Sequence, residues 1–118
     1  MDVESFRLYC LSKKGVTESF PFDQQTLVFK VMGKMFALTG LDKPDFEVNL
    51  KCDPDRSVDL RARYADVRPG WHMNKLHWNT VAFEGDLDDE LLRELVDHSY
   101  DLVVAGLKKA DREKLHSL

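Results

Sequence analysis

Residues 26–39 read Thr-Leu-Val-Phe-Lys-Val-Met-Gly-Lys-Met-Phe-Ala-Leu-Thr. The segment is rich in β-branched and aromatic residues, and Gly33-Lys34 interrupts it at its middle, which is typical of a β-hairpin. Residues 46–52, Phe-Glu-Val-Asn-Leu-Lys-Cys, alternate apolar and polar side chains, as expected of a strand with one buried face. Together the two segments predict three antiparallel strands.

Helical patterns flank this sheet. Apolar side chains spaced three and four residues apart predict a first helix over residues 2–14. After it, Phe20-Pro21-Phe22 is expected to be an extended, packed entry into the sheet. Asp53-Pro54 predicts the start of a second helix that runs to Tyr64. Residues 65–75 are expected to be loop and edge strand, and residues 77–84 a further strand.

The final helix has the clearest pattern. Its acidic first turn, residues 88–90, complements the helix dipole, and Asp86 or Asp88 is the expected cap. We expect it to end near Lys108 and Lys109. The stripe expected to face the core comprises Leu91, Leu95, Leu102 and Val103, with Leu92 and Leu107 at its edges. The order α-β(3)-α-β(2)-α predicts one α+β domain over residues 1–118, with helices packed on an antiparallel sheet in two layers.

Composition limits the class of protein. A chain of 118 residues with 43% hydrophobic and 32% charged residues is typical of one globular domain. It has no apolar run of about 20 residues that could span a bilayer, and no basic and apolar leader. Cys10 and Cys52 lack C-x-x-C spacing and are expected to pack as small, reduced apolar residues. We therefore expect a cytoplasmic monomer without membrane association.

The charge is unevenly distributed along the chain. A net charge of −4 argues against a strong general affinity for nucleic acid. Residues 30–80 nevertheless carry 9 basic and 7 acidic groups, a net of +2, whereas residues 81–118 carry 5 basic and 10 acidic groups, a net of −5. The two regions predict either two faces of opposite sign or solvated charge with no role.

Residues 69–79, Pro-Gly-Trp-His-Met-Asn-Lys-Leu-His-Trp-Asn, hold both tryptophans and two of the four histidines. Such clustering of aromatic, cationic and amide side chains is typical of recognition surfaces, where a ring stacks on a base and a lysine holds a phosphate. The alternative is that Trp71 and Trp78 are core residues whose indole N–H groups find partners in Asn74 or Asn79.

Other chemistry has little support. His72 and His77 have no matching cysteine or carboxylate pair nearby, so no metal is expected. No motif places a base beside a cysteine or serine, and no phosphate-binding glycine motif occurs, so neither a cofactor nor an enzyme is expected.

These residues resemble the signature of the MmcQ/YjbR family of small, uncharacterised bacterial proteins. The resemblance rests on residues 69–75 and 77–81, with further matches at residues 30–38, 50–54 and 99–103, and covers essentially the whole chain. It implies an α-β(3)-α-β(2)-α fold, similar to type III secretion chaperones and to the "double wing" DNA-binding domain of a phage transcription factor. Members are usually labelled DNA-binding, which is an inference from fold. This chain departs from the pattern at Leu76, where a basic residue is common.

Three functions remain open. The first is DNA binding, in which cations contact phosphates while histidine and amide side chains reach bases or sugars. The second is a protein- or peptide-binding adaptor, which a contiguous exposed apolar patch would favour. The third is a small-ligand pocket behind Trp71 and Trp78. The candidate nucleic-acid-binding residues are Lys30, Lys34, Arg61, Arg63, Arg68, His72, Asn74, Lys75, His77, Trp78 and Asn79.

Overall fold

The hairpin over residues 26–39 lies within a six-stranded antiparallel sheet in the computed structural model, which describes residues 1–118. The strand order is β1-β2-β3-β4-β6-β5. The strands are β1 (Val16–Ser19), β2 (Thr26–Val31), β3 (Lys34–Gly40), β4 (Glu47–Lys51), β5 (Val67–Pro69) and β6 (Trp78–Ala82). The helices are α1 (Val3–Leu11), α2 (Pro54–Arg63), α3 (Asp89–Ala105) and α4 (Lys109–His116). None of them combines the length and the apolar character that crossing a bilayer requires.

The α+β class is confirmed, but the element order is α-β(4)-α-β(2)-α-α. The sequence patterns missed β1, a short edge strand held by contacts that are distant in sequence. It pairs with β2, and the guanidinium of Arg7 on α1 donates to both carboxylate oxygens of Glu18 at 2.8 and 2.6 Å. The expected packing of the following loop is wrong, because Phe20 and Phe22 are both exposed.

The hairpin turn lies one residue earlier than predicted. Val31 pairs with Lys34, so the turn residues are Met32 and Gly33, at φ 50° and 79°. Positive φ at both positions is what a two-residue turn needs to match the right-handed twist of the strands. Glycine adopts it without cost, and Met32 is the residue forced into it.

The main core lies on one face of the sheet, between the strands and the four helices. Alternation directs Leu27, Phe29 and Val31 of β2 to this face. Both cysteines are buried in this core, as predicted. The helices contribute Phe6 and Cys10 from α1, Leu60 from α2, Leu92, Leu95, Val96 and Val103 from α3, and Leu115 from α4.

The buried stripe of α3 is rotated from the predicted one. Leu91 is only half-buried, whereas Leu92 and the polar Ser99 are fully buried. The Ser99 hydroxyl donates to the carbonyl of Phe36 at 2.5 Å and accepts from the backbone N–H of Lys51 at 2.8 Å. A small side chain with two partners in the sheet can occupy the centre of a buried stripe, which an apolar periodicity cannot reveal.

The last helix is two helices. Asp88 caps α3, and Gly106 ends it. Leu107 is buried at the break, and α4 then returns so that Leu115 packs beside Gly15 and Val31. The break lets both leucines reach the same core.

Candidate nucleic-acid interface

The sheet face opposite the helices, together with the loop that covers it, carries most of the candidate side chains. Register places Lys30, Asn49, Lys51, Arg68 and Thr80 on that side, because their neighbours in each strand point into the main core. Residues 70–77, between β5 and β6, fold back over its centre. We call this sheet face, together with residues 70–77, the loop face.

A second, smaller apolar cluster fixes residues 70–77 to the sheet. Val28, Leu38 and Trp78 are buried there, and Met35 and Met73 pack against them. The order of the strands brings these side chains together across β4. The loop is therefore a packed part of the fold.

Polar contacts hold the residues on either side of Met73. The backbone N–H of Trp71 donates to Oγ1 of Thr80 at 2.9 Å, and this hydroxyl donates to Oδ1 of Asn49 at 2.5 Å. The ammonium of Lys75 donates to the carbonyl of Gly70 at 3.1 Å, which closes the loop. Oδ1 of Asn74 accepts from the backbone N–H of Leu76 at 2.9 Å, as in an Asx turn.

Asn79 and Arg61 hold the base of the loop from α2. Nε of Arg61 donates to Oδ1 of Asn79 at 2.8 Å, and Nδ2 of Asn79 donates to the Ser57 hydroxyl at 3.2 Å. The same guanidinium donates to the carbonyls of Lys75 at 2.6 Å and Trp78 at 3.2 Å. Asn79 is 2% exposed, so it has no free surface for a base.

The eleven predicted residues therefore fall into different places. Trp78 and Asn79 are buried, so they are not part of an exposed interface. The observed partners of Arg61, Asn74 and Lys75 lie within residues 70–79. The other six, which are also exposed or half-buried, have no side-chain hydrogen-bond partner within residues 70–79; they are Lys30, Lys34, Arg63, Arg68, His72 and His77.

Those six do not all converge on one face. Lys30 and Arg68 lie on the loop face, and Lys34 follows the turn of the β2–β3 hairpin. Arg63 lies on α2, beside Asp59 at 3.6 Å. His72 and His77 are exposed at opposite ends of the loop. The predicted cation set is thus divided between the loop face and α2.

Three contributors to the loop face are not among the eleven candidates, although the sequence offered Trp71 as either a stacking ring or a core residue. Lys51 alternates out of the main core in β4, a signal that the apolar pattern of that strand already contained. The Trp71 side chain is 62% exposed. Nζ of Lys43, from the β3–β4 loop, lies 5.9 Å from the centroid of the Trp71 ring, within cation–π range. No local pattern predicts that pair, because the two residues are far apart in the chain.

The loop face is mainly basic. Lys30 pairs across the sheet with Met35, and Lys51 with Trp78. Lys30, Lys43 and Lys51 take part in no ion pair. The acidic residue that register places on this face is Glu47, which already pairs with Arg68. Asp42 and Asp45 flank Lys43 in its loop, at the rim of the face.

Groups outside this face offer little for catalysis or metal binding. Burial raises the pKa of the Cys10 and Cys52 thiols, which keeps both protonated at neutral pH. No group of three or more potential metal ligands is present. A cleft of about 200 Å³ is lined by residues 63–66, 86 and 87, and neither tryptophan lines it.

The fold and this face define a class: small α+β proteins with one open six-stranded antiparallel sheet, helices on one face and a packed loop on the other. The family model named YjbR matches residues 11–102, more than half of the chain. The chain belongs to the YjbR family.

The relatives span the whole molecule. The chain is 38% identical to the uncharacterised protein YbdF of Escherichia coli O157:H7, over 95% of this chain and 92% of YbdF. It is 35% identical to the uncharacterised protein YjbR of Escherichia coli strain K12, over the full length of both. The crystal structure of the Deinococcus radiodurans protein DR2400, with a domain described as DUF419, is 41% identical and superposes with a TM-score of 0.90, covering 97% of this chain and 87% of that one.

Proposed function

We propose that this protein binds DNA without catalysing a reaction, through the loop face, and that it does so in the cytoplasm. The observation that carries the proposal is the set of three lysines without ion-pair partners, Lys30, Lys43 and Lys51, on the face that also exposes Trp71. Phosphate contacts supply most of the affinity in general binding of nucleic acid. We therefore assign the phosphate contacts to these three lysines and no longer to Lys75 and Arg61, whose side chains donate hydrogen bonds within the protein.

The spacing of the lysines supports contact with more than one phosphate. Lys30 on β2 and Lys51 on β4 lie on either side of β3, so their backbones are separated by two strand spacings, about 10 Å. Successive phosphates of one strand lie several ångströms apart, and long lysine stems can adjust to that distance. The sheet thus provides a fixed base for mobile ammonium groups.

The distribution of charge supports a defined orientation on DNA. The acidic first turn of α3, residues 88–90, belongs to the helical layer on the opposite face of the sheet. A negative helical side and a positive loop face give a net charge of −4 without preventing binding at the basic side. Such a protein approaches DNA with its loop face forward.

The test is fluorescence anisotropy of a labelled mixed-sequence DNA, titrated at several salt concentrations. The variant is Lys30→Ala/Lys51→Ala. Removal of one phosphate-binding lysine lowers the slope of log affinity against log salt by about one, so we expect this double variant to lower the slope by about two. The control is Lys108→Ala/Lys114→Ala, which removes the same charge from exposed lysines around α4.

The control separates local contact from net charge. We expect the control variant to keep the wild-type slope, because its lysines lie on the helical side. If both variants lowered the salt slope equally, the effect would be due to net charge, and the loop face would not be the binding site. Absence of binding to any DNA at low salt would reject the proposal as a whole.

A second candidate function is the adaptor, which is favoured by three exposed apolar side chains in two joined loops at one end of the sheet. Phe20, Phe22 and Leu41 are 46%, 64% and 46% exposed. They belong to the β1–β2 and β3–β4 loops, which are joined where the backbone N–H of Leu41 donates to the carbonyl of Gln25 at 2.8 Å. Phe22→Ser/Leu41→Ser should leave DNA binding intact. A loss of DNA binding in that variant would show that this end of the sheet is part of the DNA-binding site.

A further inference from the structure

We infer that the loop face takes single-stranded DNA in preference to duplex, with an unpaired base stacked on the Trp71 ring. This inference rests on the proposed function and names the form of nucleic acid that the same face accepts. It starts from the one large aromatic ring that the loop exposes.

The Trp71 ring is presented on a fixed support. The backbone N–H of Trp71 is held by Thr80, and the next residue but one, Met73, is packed in the smaller apolar cluster. The imidazole of His72 packs against the indole at a steep angle, with ring centroids 4.6 Å apart and an interplanar angle of 63°. A ring braced by its backbone and by a neighbouring ring loses little conformational freedom when it binds a ligand.

The occupant of the ring face at present is a cation from the protein itself. Nζ of Lys43 lies 5.9 Å from the ring centroid, and an exposed cation–π contact of this kind contributes only about 0.5–1 kcal/mol. The stem of Lys43 passes over Gly40, where an added Cβ would lie 3.2 Å from its Cε. A base can displace this ammonium from the ring, after which Lys43 is free to contact the adjacent phosphate.

The number of cations favours stacking over purely electrostatic binding. Strong general binding to duplex typically uses about six to ten phosphate contacts, whereas only Lys30, Lys43 and Lys51 on this face lack both an ion pair and a bond within the loop such as that of Lys75. Stacking of a base on an aromatic ring adds about 1–3 kcal/mol per base, but it needs a base that is not already paired and stacked. A single strand provides one, whereas an intact duplex does not.

The secondary structure of the loop face also favours single-stranded DNA. Its surface is formed by strands and by residues 70–77, while all four helices contribute to the core on the opposite face. A basic sheet face with an exposed aromatic ring is the arrangement that tracks a single strand. The helices that could enter a major groove lie on the other side.

The experiment compares three labelled DNAs of equal length, about 15 nucleotides: a single strand, its duplex, and an abasic strand with the same phosphates. The protein variants are wild type, Trp71→Ala and, as a control, Phe22→Ala, which removes an equally exposed ring from another loop. We expect wild type to prefer the normal single strand. Trp71→Ala should weaken that binding about tenfold or more while changing duplex and abasic binding less than about twofold. Phe22→Ala should change none of the three.

Intrinsic fluorescence gives a second readout. The chain has two tryptophans, of which Trp71 is exposed and Trp78 is buried, so quenching by a stacked base should be lost in Trp71→Phe. Equal affinity for the normal and abasic strands, or single-strand binding without quenching, would overturn stacking while leaving phosphate contact in place. Equal losses of duplex and single-strand affinity in Trp71→Ala would overturn the preference. No binding to any of the three DNAs would reject the proposed function together with this inference.

Discussion

The guanidinium of Arg61 donates to Oδ1 of Asn79 at 2.8 Å, which joins the last turn of α2 to the start of β6 beneath residues 70–77. Two residues that resemble DNA contacts in the sequence are therefore partners of each other. The structure uses much of the polar content of residues 69–79 to build the loop, and leaves the Trp71 ring exposed beside Lys43.

This relationship predicts that Arg61→Ala destabilises the protein by about 2–3 kcal/mol, because Asn79 and two backbone carbonyls are deprived of a charged donor. Urea unfolding measures the change. Arg63→Ala is the matched control on the same helix, where the side chain is 66% exposed and pairs with Asp59 only across one helical turn. It should change the free energy of unfolding by less than about 0.5 kcal/mol. Equal effects of the two substitutions would contradict a structural role for Arg61.

Truncation of the two tryptophans should lower stability by very different amounts. Trp78 is 9% exposed and lies in the smaller apolar cluster, so Trp78→Ala should cost about 3–5 kcal/mol of unfolding free energy. Trp71→Ala should cost less than about 1 kcal/mol, because that ring is 62% exposed. Thermal or urea unfolding distinguishes them, and a large loss at Trp71 would show that its ring belongs to the core.

Gly70 should not tolerate a side chain. A Cβ there would lie 2.9 Å from Cβ of Trp78 and 3.0 Å from its carbonyl oxygen, so Gly70→Ala should destabilise by about 1–3 kcal/mol. Gly106→Ala is the control, since a Cβ there would lie 3.6 and 3.7 Å from the carbonyl oxygens of Val103 and Leu102, and its φ is −87°. That substitution should raise stability by up to about 1 kcal/mol. Chemical denaturation of both variants measures the contrast.

His98 should make stability fall with acid. Its Nε2 accepts a hydrogen bond from the backbone N–H of Asp53 at 3.1 Å, which requires the neutral ring. Burial, then Arg56, lower the pKa of His98 below its usual 6.5, while Glu94 and Asp101 act in the opposite direction. The unfolded chain therefore binds a proton more readily, so this contribution is complete above about pH 6.5 and is lost as the pH falls through the folded pKa.

The measurement is the free energy of unfolding of wild type and His98→Gln between about pH 7.5 and about pH 5. Glutamine cannot titrate in this range, so the difference between the two proteins should change with pH. A difference that stays constant would show that the protonation of His98 is not coupled to folding.

Much of the fold follows from local sequence. The change of apolar period from 3.6 to 2 at residue 26, the caps at Asp53 and Asp88, and the pattern of β4 predict the α+β class and most of the elements. The edge strand β1 was not predictable in this way, because its four residues are fixed by Arg7 and by β2. The glycine that ends α3 at residue 106 was visible in the sequence, but the leucine spacing continues past it and hid the break.

The candidate site shows the limit of the sequence most directly. Composition singled out residues 69–79 for their clustered aromatic, cationic and amide side chains. The sequence of this segment is nevertheless equally compatible with exposure or burial of each of those side chains. The exposure of Trp71 and the burial of Trp78 depend on Val28, Leu38 and Lys43, all distant in the chain. Local periodicity is determined by covalent neighbours, so the sequence by itself determined most of the elements. Burial and pairing are determined by contacts between elements, so only the tertiary structure decided which side chains remain free to meet a ligand.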